Sequence, residues 1–428
     1  MDILQIQEKY SEDNSIKSLE SYAFQPISGT QLNGAGQITI RIENQDIFFL
    51  PRRSWLQIEG RLVKAAAAAV YIDGDQISLT NNGLMYLFDN IKYELSGQEI
   101  ESLYHPGHAT TMLGLTKYSS DYNGGPGLNQ CWSLDTSTVA ADANLGFKKR
   151  HDYIIEKPVP KGSFRFNIDL ESIFGFCADY DKVMYGFIHT LTLVRSAGSD
   201  DAIFKHADAD LGKIIMDSIT WFMPRVEPND GNKYQLYKMI ESKSTLDVGF
   251  RMRQCTNVTL PAAVLNYTWR MGVRAIPEQP RQVIIAFQTG KANSQLVNAS
   301  IFDHCNVSNM YVVLNNTRYP AIDFHSNFAK NHYDHLYKNM CDFRRKFYGL
   351  DQLVSSTSID PISYKDLFPI FVFDVSKQSE RLQQGVVDIT VEMMFSVAVP
   401  ANTVAYAVII SDRKLRFQSD GKKMSVIF

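Results

Sequence analysis

Cysteine is scarce and poorly placed for staples. The five present (Cys131, Cys177, Cys255, Cys305 and Cys341) are odd in number and widely scattered. They fit neither a disulfide framework nor a CxxC zinc pattern, so small buried hydrophobes are the expected role. Long apolar runs are missing too, and no stretch approaches the roughly 20 residues of a membrane-spanning helix. The opening MDILQIQEKYSEDNSIKSLESYAF lacks a basic segment followed by an apolar one, so no signal peptide is expected and the chain reads as soluble and made in a reducing compartment. Neither sign of charge dominates: 43 Lys and Arg against 46 Asp and Glu give a formal net charge of −3. No global basic field draws the chain to nucleic acid, so any contact with a genome has to be local.

Catalytic signatures are absent as well. There is no GxSxG elbow, no P-loop and no GxGxxG after a strand, and GGPG at Gly124–Gly127 lacks the Lys-Ser/Thr that would make it a phosphate cradle. The pair His332 and His335 in HYDH sits three residues apart, as does His105 with His108 in HPGH. A zinc site needs a third ligand, and usually a Glu beside the first His; neither is evident. The acidic loop SDDAIFKHADAD offers Asp200, Asp201, Asp208 and Asp210 without the spacing of a calcium loop, and a surface loop is expected. FKKRH (Lys148, Lys149, Arg150) and FRRKF (Arg344, Arg345, Lys346) are short basic runs. Each could touch phosphate or serve nuclear import, but a solvated face is the ordinary reading. Sequons at Asn257, Asn266, Asn298, Asn306 and Asn315 are expected to be unmodified. No catalytic, cofactor-binding or metal-binding residue is assigned, and no cofactor is expected.

What the chain does have is strand pattern. Phenylalanine (25) and tyrosine (21) are abundant, which suits strands better than a helical bundle. NIKYELSGQEIE, Asn90 to Glu101, alternates Ile91, Tyr93 and Leu95 with Lys92 and Glu94, turns at Ser96-Gly97, and resumes its apolar face at Ile100; this is a hairpin signature. VVDITVEMMFSVAVP places Val387, Ile389, Val391, Met393, Phe395, Val397 and Val399 on one face, as a strand with one buried side requires. Helical signals are few, the best being NHYDHLYKNMCDFRRKF, where His332, Leu336, Met340, Phe343 and Phe347 recur at three or four residues. The run Ala65 to Ala69 falls where a strand end or loop is expected, and Tyr118 to Phe147 reads as loop. Trp55, Trp221 and Trp269 sit in strand patterns and are expected in the core, whereas Trp132 lies in the loop region.

Short strands punctuated by Gly, Pro and Asn, in two successive sets separated by EPNDGNK at Glu227 to Lys233, predict an all-β chain of two tandem sandwiches. The expected division is an N-terminal arm at 1–35, a first jelly roll at 36–228 and a second at 229–428. Long loops and a few short helices are expected.

The order of these segments resembles the double jelly-roll major capsid proteins of the adenovirus and giant-virus lineage, most of all those of Polinton/Maverick elements and adintovirus-like viruses. The likeness rests on SLTNNGLMYLFDNIKYELSGQEIES, FGFCADYDKVMYGFIHTLTLVR and KIIMDSITWFMPRV in the first half. In the second half it rests on VLNYTWRMGVRAIPEQPRQVIIAFQT, RYPAIDFHSNF, PIFVFDVSKQSE and AYAVIISDRKLRFQSDGKKMSV. The resemblance spans about residues 38–428 and implies eight strands in each jelly roll and a structural, non-enzymatic subunit of the virion. Its partners would be itself in a homotrimer of pseudo-sixfold outline, neighbouring trimers, penton or minor capsid proteins, and packaged double-stranded DNA met only indirectly; an internal membrane is left open. Synthesis would be in the host cytoplasm, with the nucleus as an alternative place of assembly. The rival readings are a two-jelly-roll enzyme acting on glycans, which needs a cleft with paired carboxylates, and a carbohydrate-binding protein with exposed aromatic rings.

Overall fold

The computed structural model describes residues 15–27, 30–243, 245–274, 278–350, 357–378, 386–421 and 423–427. The first half contains β1 (Ile16–Phe24), β2 (Gly36–Ile42), β3 (Phe48–Phe49), β4 (Trp55–Lys64), β5 (Ile77–Leu79) and β6 (Phe88–Leu95). It continues with β7 (Gln98–Tyr104), β8 (Ser163–Asp169), β9 (His189–Arg195), β10 (Ile203–Lys205) and β11 (Gly212–Pro228). The second half contains β12 (Thr245–Thr259), β13 (Asn266–Arg274), β14 (Gln279–Thr289), β15 (Val307–Leu314) and β16 (Thr317–Tyr319). It ends with β17 (Phe371–Asp374), β18 (Val387–Phe395), β19 (Thr403–Ser419) and β20 (Met424–Ile427).

These strands form two facing pairs of sheets. The first pair runs β1-β11-β4-β8 and β2-β9-β6-β7; the second runs β12-β19-β14-β17 and β13-β18-β15-β16. With the short β3, β5, β10 and β20 set aside, each half uses its eight strands in one order. The first, eighth, third and sixth make one sheet, and the second, seventh, fourth and fifth make the other. All the pairings are antiparallel. That is the jelly roll, twice, as expected. Buried side chains of both halves join in one large hydrophobic cluster, with Ala140, Phe147 and Phe204 forming a small one apart.

Part of the expected arm is strand. Ile16–Phe24 pairs along its length with β11, from Ile16 opposite Pro228 to Phe24 opposite Trp221, so it is the first strand of the first sandwich. Its exposure disguises it: Phe24 and Ser18 alone are even half-buried, and Ile16, Leu19 and Tyr22 fall three apart rather than two.

The hairpin at Asn90 to Glu101 forms as β6 and β7. Ser96 and Gly97 have φ of 50° and 84°, the left-handed pair of a tight two-residue turn. A Cβ at Gly97 would meet nothing within 4 Å, so strain alone opposes a side chain there. Gly97→Val is expected to cost about 1–2 kcal/mol, read as a lower midpoint in thermal denaturation. An unchanged midpoint would show that the turn tolerates a β-branched residue.

Beyond the turn the alternation slips. Glu94 lies opposite Glu99, but Tyr93 lies opposite Glu101, so Ile100 is an extra residue. Such a bulge re-aims the side chains that follow it. Directly opposed residues share a face, and Glu101 therefore turns to the side of Tyr93, inside the sandwich. Ile100, expected to resume the apolar face, is itself fully buried.

β18 alternates fully buried residues with half-buried or exposed ones as predicted from Val387 to Phe395, but Val397 lies past its end and is 55% exposed. Trp221 and Trp269 are buried as expected. Trp132 is buried too, while Trp55 is only half-buried and stacks on Phe222 with centroids 5.0 Å apart. The helix predicted around His332 runs Asp334–Tyr348 and buries Leu336, Met340 and Phe343. Two further helices carried no clear sequence signal. Pro106–Lys117 is buried on every side but its last residue, so it shows no polar stripe. Asp230–Glu241, which begins within the expected break, buries none of its residues.

Candidate functional site

The four histidines singled out by spacing do not assemble a metal site. His332 precedes the helix, its N–H donating to the Asn327 carbonyl at 2.9 Å, and the exposed His335 lies 3.8 Å from Asp334. Among the described residues no group of three His, Cys, Asp or Glu side chains could hold a metal ion. His105 and His108 belong to packing instead. The His108 ring stacks on Tyr406 at 3.9 Å and its Nε2 lies 3.0 Å from Gln288 Oε1. Burial, and then His105, push His108 down to about 3, so it is neutral at physiological pH.

Each basic run surrenders one arginine to the interior, contrary to the solvated face expected. Arg150 is fully buried, donating to both Asp135 oxygens at 2.8 and 2.9 Å and to the carbonyls of Leu79 and Ser133. Arg344 is buried on the helix Asp334–Tyr348. Three of the four flanking cations are paired on the surface: Lys148 with Asp152 at 3.0 Å, Arg345 with Asp342 at 3.6 Å and Lys346 with Asp374 at 3.2 Å.

The acidic loop is likewise structural. Asp200 Oδ1 accepts from Gln295 Nε2 at 2.7 Å and Asp201 Oδ1 from the Asn293 N–H at 2.6 Å, tying the first sandwich to a loop of the second. Asp210 pairs with Lys64 at 2.8 Å, and Asp208 lies 3.2 Å from the His206 ring. Asn298, one of the sequons, is buried and donates to Asp135 Oδ2 at 2.7 Å. All five cysteines are free, four of them buried.

The densest chemistry lies along the seam between the sandwiches, and sequence reading missed it. Glu101 is fully buried; its Oε1 accepts from the N–H of Gly175 at 3.0 Å and of Arg253 at 2.7 Å, and its Oε2 from Phe176 at 2.9 Å. Gly175 and Phe176 open the short helix Gly175–Asp179, which has no side-chain cap of its own, whereas Arg253 lies on β12 in the other sandwich. One carboxylate therefore caps a helix and a sheet edge together. Beside it, Asp179 accepts from the Arg251 N–H at 2.8 Å and its Nε at 2.9 Å. Arg253 reaches the carbonyls of Glu171 and Ser172 at 3.0 and 2.9 Å, and Arg413 reaches that of Ile100 at 2.7 Å. Gly175 fits where no side chain could, since a Cβ there would stand 1.8 Å from the Arg251 carbonyl oxygen.

The sheet β12-β19-β14-β17 is covered on both faces. Phe287 packs toward Phe371 and Phe395 inside its own sandwich. On the opposite face Ala286 lies across from Tyr406, Ile284 from Val408 and Gln288 from Val404, and the helix Pro106–Lys117 sets His108 against Tyr406 and Gln288. Doubly covered strands carry unbroken apolar runs, which explains VIIAF at 283–287 and AYAVII at 405–410.

Asp169 and Glu171 share a cavity. It is lined by Asp169, Glu171, Lys117, Tyr118, Tyr122 and Arg344, among others. Glu171 is paired with Lys117 at 3.4 Å, while burial and the neighbouring Glu171 raise Asp169. Among the described residues, no helix is long and apolar enough to cross a membrane.

Comparison with known proteins follows the topology. A family model described as a double jelly roll-like domain matches residues 77–415. Among solved structures, VP54 of PBCV-1, fitted into a cryo-EM reconstruction of the virophage Sputnik, superposes with a TM-score of 0.59 at 9% identity over 99% of both chains. The major capsid protein of Faustovirus gives 0.57 at 8% identity, over 98% of this chain and 93% of that one. The mavirus major capsid protein gives 0.52 at 10% identity, over 99% and 93%. No curated protein sequence matches. At such identities the structural likeness carries the fold. With the family model matching from β5 into β19, across both sandwiches, the chain belongs to the double jelly roll-like domain family.

Proposed function

We propose that this chain is a viral major capsid protein, a homotrimeric tile of an icosahedral shell around double-stranded DNA. The observation that carries the reading is coverage: capsid proteins of giant viruses and virophages match the chain over almost its whole length and theirs. The chemistry agrees, because the buried ionisable groups of the seam are spent on holding two sandwiches together. In this reading the first sandwich ends at Pro228, the second begins at Asn229, and the protein has no enzymatic role. It resides in the virion, meets neighbouring trimers and penton or minor capsid proteins, and touches packaged DNA only indirectly. The Polinton/Maverick and adintovirus-like branch remains our preferred placement within the lineage.

The cavity holding Asp169 and Glu171 is a candidate site for the rival glycan-acting reading, which makes a different prediction in solution. Light scattering on a sizing column, across a dilution series, is expected to give a dilution-resistant species of three times 48.5 kDa, which forms shells visible by electron microscopy. A strict monomer that hydrolyses glycans, and loses that activity in Asp169→Asn, would overturn the capsid reading.

A further inference from the structure

The cavity that takes Asp169 from the first sandwich and Arg344 from the second already holds one ammonium, and the chain itself supplies it. Lys117, the last residue of the helix Pro106–Lys117, lies 3.4 Å from Glu171 and 5.6 Å from the centroid of the Tyr118 ring. A carboxylate on one side and an aromatic face on the other hold a half-buried ammonium, by opposite charge and by the negative face of the ring.

The same two groups stand beside it without an ammonium. Tyr122 stacks on Tyr118 with ring centroids 4.2 Å apart and planes 13° from parallel. Asp169 comes just before Glu171 in the chain, and both carboxylates and both rings line the one cavity, of about 400 Å³. Lys117 is taken by Glu171, and among the described residues Asp169 has no ion-pair partner. The hydrogen bond that Asp169 accepts, from Ser172 Oγ at 2.7 Å, goes to its backbone carbonyl and leaves the carboxylate free. Burial and then Glu171 raise that carboxyl, and Lys117 offsets them only in part. Burial, then Tyr118 and Asp169, raise the Tyr122 hydroxyl, which makes the free carboxylate and the second ring near neighbours. Arg344, the other cation of the lining, pairs with neither carboxylate.

We infer that the cavity is a binding site for a small molecule bearing one alkylammonium group, seated between Asp169 and the Tyr122 ring as Lys117 is seated between Glu171 and Tyr118. One positive charge answers the one carboxylate left without a partner. The volume lies in the range of small-ligand pockets and exceeds what the ammonium alone fills, so an apolar chain follows the charge, against Leu350 and the ring faces. The site needs the cavity and not the assembly, and it stands apart from the capsid reading.

The test titrates the full chain at low salt with n-butylammonium chloride, the lysine side chain as a free ion, followed by saturation-transfer NMR, with 1-butanol as the uncharged control. Saturable binding is expected for the ammonium and none for the alcohol. The Asp169 carboxylate holds nothing else in place, so Asp169→Asn is expected to keep the circular dichroism of the wild type while weakening binding about fivefold. Tyr122→Leu keeps the carboxylate and removes the ring, and is expected to weaken binding about threefold. Lys117→Met acts in the opposite direction: it leaves both carboxylates open to the ligand and is expected to tighten apparent binding about twofold. Affinity that Asp169→Asn and Tyr122→Leu leave unchanged would put the amine elsewhere and overturn the site. Equal binding of butanol would show an apolar hole that does not recognise charge, and no saturable binding would show that Asp169 calls for no ammonium. Either result overturns the inference and leaves the capsid reading where it was.

Discussion

Glu101→Ala is expected to lower the unfolding free energy by about 3–5 kcal/mol, read from urea denaturation. The alanine leaves three buried N–H donors, those of Gly175, Phe176 and Arg253, without their acceptor. An orphaned buried donor costs about 1–3 kcal/mol, and water entering the small space recovers part of it. The Arg253 guanidinium keeps its bonds to Glu171 and Ser172 but loses the opposing charge. A loss under about 1 kcal/mol would show that the seam is held by apolar packing and that the carboxylate is incidental.

The same residue sets a pH dependence. Burial raises Glu101 from an ordinary 4.5 to about 6, against the opposing pull of Arg253 and the three N–H donors. A carboxyl raised on folding holds its proton between those values while the unfolded chain has lost it. Its contribution to stability is therefore fully present below about pH 4.5 and is lost as pH rises through about 6, a change of about 2 kcal/mol. The signal is the wild type minus Glu101→Gln. That difference is expected to slope between pH 4.5 and 6.5 and to flatten above it. A flat difference throughout would mean that the donors hold Glu101 ionised.

Glu101 also shows where sequence reading stops. Glu99 and Glu101 look alike in GQEIES, yet one is exposed and the other fully buried. The difference comes from the bulge at Ile100, a register event that alternation alone does not encode. By contrast, the double jelly roll was legible, because alternating strands such as β4 and β18 and turn residues such as Gly97 act locally. The two-sided cover of β14 and β19 was legible in principle from their unbroken apolar runs, although not which helix supplies it. The helix Pro106–Lys117 stayed hidden because complete burial erases the amphipathic stripe. β1 stayed hidden because an uncovered edge strand need not alternate, and its apolar residues Ile16, Leu19 and Tyr22 fall three apart. What failed in every case was information held by distant parts of the chain.

The basic run FKKRH makes that point as a measurement. Arg150→Met is expected to destabilise the chain by about 3–5 kcal/mol, because it leaves Asp135 buried without its partner, while Lys149→Ala is expected to stay within about 0.5 kcal/mol. Asp135 sits at the centre of the network, taking both donors of Arg150 Nη2 and that of Asn298 from the second sandwich. Methionine keeps some of the arginine's volume but supplies no donor for the carboxylate or for the carbonyls of Leu79 and Ser133. The double variant Arg150→Met with Asp135→Leu removes the stranded charge and is expected to recover much of the loss, since a buried ion pair replaced by apolar groups is often near neutral. Non-additivity between the two sites is the signature, because independent residues would add. If Arg150→Met instead unfolds like the wild type and weakens retention on a phosphate-bearing column, the run is a phosphate-binding surface after all, and the buried network is not what fixes the arginine in place.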